Sequence, residues 1–377
     1  MASETRPLGL DGVVAVETAL SEVDGALGRL NIAGRDLEGW APNASFEEAC
    51  ALLWSAADPP LRSAADAPLR SAGVIRRSLG EHRVKAFARL SELGNALLLP
   101  SGMDALRAAM GHLHLAEMSD GSAADASAHV TAAMSVFAAA WGRTRLGKTP
   151  IAPDPAAGHV EDHLRMLEGQ PASAAQVRAL STYLLTVSDH GMNASTFAAR
   201  VVASTQSDMV SSIVAAIGAL KGPLHGGAPG PVLDMLDAIG DAARAESFIA
   251  SELAAGRRIM GMGHRIYRVR DPRAAVLERA TLALVDSGLR TERLALARAV
   301  ERIATGALAA KYPDRKLETN VEFYTAILLD AIGLPREAFS PTFAVGRVIG
   351  WSAHVMEQRA KGRLIRPESR YIGAPAS

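Results

Sequence analysis

The chain of 377 residues carries 40 basic and 40 acidic side chains and a single cysteine. That length allows one large domain or two unequal ones around a substantial core. The balanced charge gives no electrostatic ground for a nucleic-acid or membrane partner. Cys50 cannot close an internal disulfide, which suits a reducing cytoplasm, and its neighbours Ala49, Ala51, Leu52 and Leu53 mark an inert core thiol. The start, Met1-Ala-Ser-Glu-Thr-Arg-Pro7, lacks the apolar run of a signal peptide, and Ser204 to Asp208 interrupt the apolar window Val201 to Leu220. A soluble, cytoplasmic protein is expected.

In chain order, Val13-Val-Ala-Val16 and Arg29-Leu-Asn-Ile32 flank Asp24-Gly25, predicting a small β-hairpin. Strand signals then nearly vanish. Ser45-Phe-Glu-Glu48 is a capping box opening a helix through Cys50 and Trp54. Met103 to Met118 and Ala123 to Trp141 are alanine-rich with apolar residues at helical spacing. Gly147 to Pro155 holds three prolines and is expected to be extended. The fold class is all-α, with little sheet. Turn-rich stretches at Lys221 to Gly227 and Pro313 to Asn320 are the hinge candidates. Cutting there gives a large helical domain over 1–221 and 325–377, with a smaller helical domain, 222–324, inserted in it.

Metal chemistry is not expected. His159 and His163 lie four apart, but His-Val-Glu-Asp-His lacks the glutamate placement of zinc proteases, and a solvated helix face is the plainer reading. His112 and His114 read as structural. Gly261-Met-Gly263 lacks the third glycine and the βαβ pattern of a dinucleotide loop. More informative are His190, in Ser188-Asp-His-Gly-Met-Asn193, His225, in Lys221-Gly-Pro-Leu-His-Gly-Gly227, and His264, in Met260-Gly-Met-Gly-His-Arg265. Glycines beside each imidazole suggest turns that a small ligand can approach closely.

Asp271-Pro272 predicts an N-cap and first helical residue. That places Arg273 in a first turn, as an anion-gripping guanidinium or as surface charge. Arg347 lies in an apolar helix beginning near Ser340-Pro341, where its charge must meet a structural carboxylate or a ligand anion. Arg366 precedes a proline in a C-terminal arm, Gly362 to Tyr371, able to reach across a surface. Thr319-Asn-Val-Glu322 reads as a capping box for a helix from Val321 to Ile332 stopped by Gly333, or Glu322 is a general base near a helix N-terminus.

Several of these stretches, in this order, resemble the citrate synthase family: Gly9 to Val14 with Gly28 to Leu30; Pro150 to Pro155; Asp189-His-Gly-Met-Asn-Ala-Ser-Thr-Phe197; Gly222-Pro-Leu-His-Gly-Gly-Ala228; Met260 to Tyr267; Asp271-Pro-Arg-Ala274; Asn320-Val-Glu-Phe-Tyr324; and Arg363-Leu-Ile-Arg-Pro367. The match is poorest between Trp54 and Met118. The resemblance implies an all-helical fold with large and small domains flanking the active site, and a homodimer as the minimal unit. It implies condensation of acetyl-CoA with oxaloacetate, as in the tricarboxylic acid cycle, with no cofactor beyond the thioester substrate.

By the same resemblance, His264 polarises the oxaloacetate carbonyl, His225 holds the thioester oxygen, and Glu322 removes the methyl proton. Arg273, Arg347 and His190 bind oxaloacetate, with Arg366 supplied by the partner subunit. Arg265 and Arg268 are candidate CoA phosphate contacts. The family's usual residue at position 322 is aspartate. One extra methylene shifts the carboxylate by about one bond length, and misplacement of about 1 Å can cost two orders of magnitude in rate. Retention of the histidines and arginines favours compensation. Propionyl-CoA, as in 2-methylcitrate synthase, is the nearest alternative substrate, and a catalytically silent paralogue with a binding role is the alternative of another class.

Overall fold

The computed structural model describes residues 8–10, 12–57, 71–113, 122–226, 229–264, 266–288 and 292–374. Helices dominate, and the strands among the described residues form one three-stranded antiparallel sheet, β1 (Ser21–Asp24), β2 (Arg29–Ile32) and β3 (Arg35–Asp36), in that order. The hairpin is therefore present, but its first strand is not Val13–Val16. That segment runs without regular structure, and Val14 is exposed. The register pairs Asp24 with Arg29, and the Asp24 carboxylate closes the turn by accepting from the N–H groups of Ala26 and Leu27 at 3.0 and 2.9 Å. A short polar turn outcompetes the more apolar segment because pairing geometry, not apolarity, selects the strand.

The Ser45–Glu48 capping box forms in full: Glu48 accepts from the Ser45 N–H at 2.7 Å, and Ser45 Oγ accepts from the Glu48 N–H at 3.2 Å. Cys50 is buried, and burial first, then the charge of Glu47, pushes its thiol up. Two long helices, Ala123–Arg145 and Phe339–Lys361, pack together at the centre. Mostly small or apolar residues surround both helix axes, with Arg347 and His354 among the exceptions, and each helix is buried almost along its whole length. A side chain at Gly102 would meet Trp141 and Pro341 at under 3 Å, so a third helix, Gly102–Met110, crosses close to both. The Met103–Met118 expectation holds as far as Met110; part of the remainder, including His114, lies outside the described residues.

His159 and His163 overturn their solvated reading, because both are buried. His159 stacks on Phe46 with centroids 4.7 Å apart, and His163 Nδ1 lies 3.0 Å from Ser135 Oγ. Periodicity put both on one helix face but did not say which way it turned. Beside them Arg83, fully buried, pairs with Asp162 at 2.8 Å and donates to the carbonyls of Asp154 and Ala157. This pins the proline segment, which has no helix or strand over 148–154, against the helix Ala72–Ala88. Gly80 allows that contact, since a Cβ there would sit 2.1 Å from the Pro155 carbonyl oxygen. Gly80→Ala is expected to destabilise the chain by about 1–3 kcal/mol, read as a lower urea midpoint with unchanged slope.

Candidate functional site

The site is assembled from four turns and helix ends. The helix Ala194–Ser204 is capped by Asn193, and the turn before it carries Asp189 and His190. Gly261 and Gly263, with φ of 76° and 86°, form the turn that leads into His264. A Cβ at Gly261 would lie 2.7 Å from the Phe323 ring, so this turn packs directly on the helix Val321–Ile332. The β1–β2 turn supports the next residues: Arg268 N–H donates to Gly25 O at 2.8 Å, and a Cβ on Gly25 would strike the Ile266 carbonyl at 2.5 Å.

Asp271 caps the helix Pro272–Asp286 as its sequence predicts, and it does more. Its two oxygens accept from Arg273 Nε at 3.0 Å and Nη2 at 2.8 Å, and Oδ2 also accepts from the Val321 N–H. Arg273 is buried, which removes the surface-charge reading. Burial alone would lower its pKa, but the Asp271 carboxylate outweighs this and holds the guanidinium charged.

His264 Nδ1 accepts from the N–H groups of Ile266 and Tyr267 at 3.0 and 3.1 Å. In the neutral ring the proton therefore sits on Nε2, which lies 3.3 Å from Arg273 Nη2. Two donors this close cannot bond each other, and both are available to one acceptor lying beside the pair. His190 Nε2 lies 3.1 Å from the Tyr267 hydroxyl, and its ring packs edge-on to His264 at 5.7 Å.

His225 has the opposite tautomer. Its Nε2 lies 3.2 Å from the Ser195 N–H, which donates to it, and 2.7 Å from Ser195 Oγ. The ring proton is thus on Nδ1, free to donate. Burial first, then the charge of Arg347, lowers His225 to about 4. Burial first, then Arg273, lowers His264 to about 4 as well, and burial carries His190 well below its usual range. All three imidazoles are neutral at pH 7.

Arg347 is buried in the Phe339–Lys361 helix, which starts at Phe339 after a short 3-10 turn rather than at Ser340-Pro341. Its Nε donates to the Val187 carbonyl, and its guanidinium lies 4.9 Å from the Phe343 ring centre. Among the described residues no carboxylate lies within ion-pair distance of it. Burial lowers it to about 10, with Asp189 opposing and Arg273 adding to the shift. Of the two readings for Arg347, a structural carboxylate acts on it only without an ion pair, through the charge of Asp189.

The capping box at Glu322 is overturned. The helix does run Val321–Ile332 with Gly333 after it, but its N-cap is Asn320, whose Oδ1 accepts from the Glu322 N–H at 3.0 Å. The chain before it is tied elsewhere: Asn320 N–H donates to Gly261 O, and Met262 bridges Thr319. Thr319 is thereby displaced from the cap, and no hydrogen bond holds the Glu322 carboxylate among the described residues. Burial raises that carboxyl to about 7, opposed by the charge of Arg273.

His190, His264 and Arg273 thus meet directly, while the charge of Arg347 is felt at His225 and that of Arg273 at Arg347 and Glu322. Arg366 stands apart: it is exposed on an arm without helix or strand, 362–371. Arg268 is exposed, and Arg265 lies outside the described residues. Missed from the sequence were Tyr267, Ser195 and the second role of Asp271; only Asp271 carried a signal, as a cap. Among the described residues no cluster could hold a metal ion, and no helix is long and apolar enough to cross a membrane.

A family model described as citrate synthase, C-terminal domain, matches residues 9–368. The chain belongs to the citrate synthase family. The citrate synthase of Deinococcus radiodurans is 35% identical over 97% of this chain and 95% of its own length. Citrate synthase 2 of Bacillus subtilis is 36% identical over 98% and 96%. Among solved structures, that of citrate synthase from Thermotoga maritima covers 98% of this chain and 96% of its own, at a TM-score of 0.82 and 32% identity. A ternary complex of carboxymethyl coenzyme A and oxaloacetate with the Thermoplasma acidophilum citrate synthase aligns at a TM-score of 0.83 and 28% identity, covering 98% and 96%. As a citrate synthase family member the chain is an enzyme of the acyltransferase type, one that converts the acyl group to an alkyl on transfer.

Proposed function

We propose that the chain condenses acetyl-CoA with oxaloacetate, with Glu322 as base and His225 and His264 as neutral hydrogen-bond donors. The observation that carries this reading is the pair of opposite tautomers beside an unbonded carboxylate. Glu322 takes a proton from the thioester methyl while His225 Nδ1–H stabilises the enol oxygen. The enol carbon attacks the oxaloacetate carbonyl carbon, whose developing alkoxide accepts a hydrogen bond from the neutral His264 Nε2–H and ends with the proton that Glu322 removed, so both groups return to their starting states. Water then cleaves citryl-CoA to citrate and CoA. Arg273 and Arg347 hold the dianion by their positive charge, with the neutral His190 beside them, and the fixed geometry orients the two reactants.

The 222–324 segment acts as the smaller domain, closing over the larger and excluding water until citryl-CoA forms. Arg366 comes from a second subunit. A groove of about 640 Å³ between residues 15–19 and 361–367, lined by Arg366 and Arg363, suits an arm shared between two copies. Arg265 and Arg268 meet CoA phosphates, and the enzyme serves the cytoplasmic tricarboxylic acid cycle. Acetyl-CoA and propionyl-CoA differ by one methylene, worth about 1–3 kcal/mol. Thiol release with each thioester, with and without oxaloacetate, tests the reading; higher kcat/KM for propionyl-CoA would replace it with 2-methylcitrate synthesis.

The pH profile is an independent check. With Glu322 at about 7 and the site histidines His225 and His264 at about 4, kcat/KM for the thioester is expected to rise with unit slope up to about pH 7 and then level. An inflection that disappears in His225 or His264 variants but persists without Glu322 would contradict the assignment of the base.

A further inference from the structure

Arg347 is held at Nε by the Val187 carbonyl, two residues before the fully buried Asp189. After burial, Asp189 is the strongest electrostatic influence on Arg347, yet the two form no ion pair. The Asp189 carboxylate is occupied elsewhere. Its Oδ2 accepts from Ser21 Oγ at 2.6 Å, and both oxygens lie 3.1–3.2 Å from His354 Nε2. His354 is itself fixed: its Nδ1 accepts from Arg200 Nε at 2.9 Å, so its ring proton is on Nε2 and points at Asp189. Arg200 is anchored in turn by Glu357 and by Gln358 at 2.9 Å.

The placement follows from one helix face. Arg347, Gly350 and His354 are three and four residues apart, so they line one side of the Phe339–Lys361 helix. Gly350 lets the 188–189 turn lie against that side, since a Cβ there would fall 2.1 Å from the Ser188 carbonyl oxygen. The same turn is tied to the hairpin, because Ser21 Oγ accepts from the Gly191 N–H at 2.9 Å.

We propose that His354 is a positioning residue, which with Ser21 turns the Asp189 carboxylate away from Arg347 and so keeps that guanidinium open for oxaloacetate. Asp189 still lowers the cost of burying the arginine, since its negative charge remains close. It does so without competing for the N–H groups that a substrate carboxylate needs. The proposal rests on Arg347 binding oxaloacetate, as set out above.

The test measures oxaloacetate Kd by calorimetry, and KM for both substrates, in His354→Leu, His354→Gln and Ser21→Ala. Each is also made with Asp189→Asn. His354→Leu is expected to weaken oxaloacetate about tenfold, on the scale of one hydrogen bond to a charged group, leaving KM for acetyl-CoA unchanged. His354→Gln is expected to recover most of that loss, because its amide N–H can replace the Nε2 donor. Asp189→Asn in the His354→Leu background is expected to restore affinity, because the competing charge is gone. Ser21→Ala gives a smaller loss of the same kind and carries the test if His354→Leu does not fold.

Equal losses for both substrates with a lower Tm, unrelieved by Asp189→Asn, would overturn the proposal in favour of a purely structural His354. Arg347→Met separates the two levels. If it leaves oxaloacetate affinity intact, the substrate role of Arg347 fails; if it weakens binding while the His354 and Ser21 variants do not, only the positioning role fails.

Discussion

Glu322→Gln is expected to lower the rate of CoA release by about 100- to 10,000-fold, the range a positioned general base supplies, while the protein still folds. The helix start does not depend on the side chain: the Asn320 cap bonds the backbone N–H of residue 322, and no hydrogen bond reaches the carboxylate among the described residues. The same substitution has a pH-dependent effect on stability. Burial raises Glu322 to about 7, so between the ordinary carboxylate range and about pH 7 the folded chain keeps a proton that the unfolded chain has released. The stability linked to that proton is full at low pH and is lost as pH rises through about 7. Glutamine has no such charge to bury. Thermal melts should therefore coincide near pH 4 and separate above pH 7, with Glu322→Gln the more stable. Turnover at the native rate would remove Glu322 from the base role, and a lower Tm at pH 8 would contradict the burial of a charged carboxylate. The catalytically silent paralogue predicts no turnover in either protein.

His225→Ala is expected to reduce kcat by about 100- to 1,000-fold, the cost of losing one preorganised donor at a developing oxyanion. His225 Nδ1–H is that donor because the Ser195 N–H occupies Nε2. Ser195 in turn is held by the Trp351 indole at 3.1 Å and lies 2.8 Å from Asn193. His225 is only half-buried on its turn, so truncation leaves the core packing intact and water can reach Ser195. Oxaloacetate affinity should stay close to native, since Arg273 and His264 keep their contacts. Exchange of thioester methyl protons with solvent, followed in the presence of oxaloacetate, should fall with kcat. A variant that changes only KM, with exchange at the native rate, would show that His225 binds the thioester without stabilising its enol.

Much of the site was legible in the sequence because its residues sit in short, chemically constrained turns. Glycines at 261 and 263 mark a backbone that other residues would strain, and both have positive φ. Asp271-Pro272 is a helix start that local chemistry enforces, and it forms as read. Local sequence was ambiguous where two signals competed. Thr319 and Asn320 can each cap a helix, and the choice fell to Asn320 because long-range contacts tie Thr319 to Met262 and the Asn320 N–H to Gly261. His159 and His163 occupy one helix face, yet only Arg83, Ser135 and Phe46, from other segments, make that face an interior one.

The amino-acid order by itself determined the helical class, the capped starts at Ser45 and Asp271, the inert Cys50, and which side chains could carry the chemistry. These depend on spacing and on interactions within a few residues, where the chain has few alternatives. Tertiary structure decided the protonation and the partners. It set the tautomers of His225 and His264, raised the Glu322 pKa toward 7, left Arg347 without an ion-paired carboxylate among the described residues, and tied Asp189 to His354. Each of those results needs groups from distant parts of the chain to displace water together, and desolvation is a property of the assembled fold.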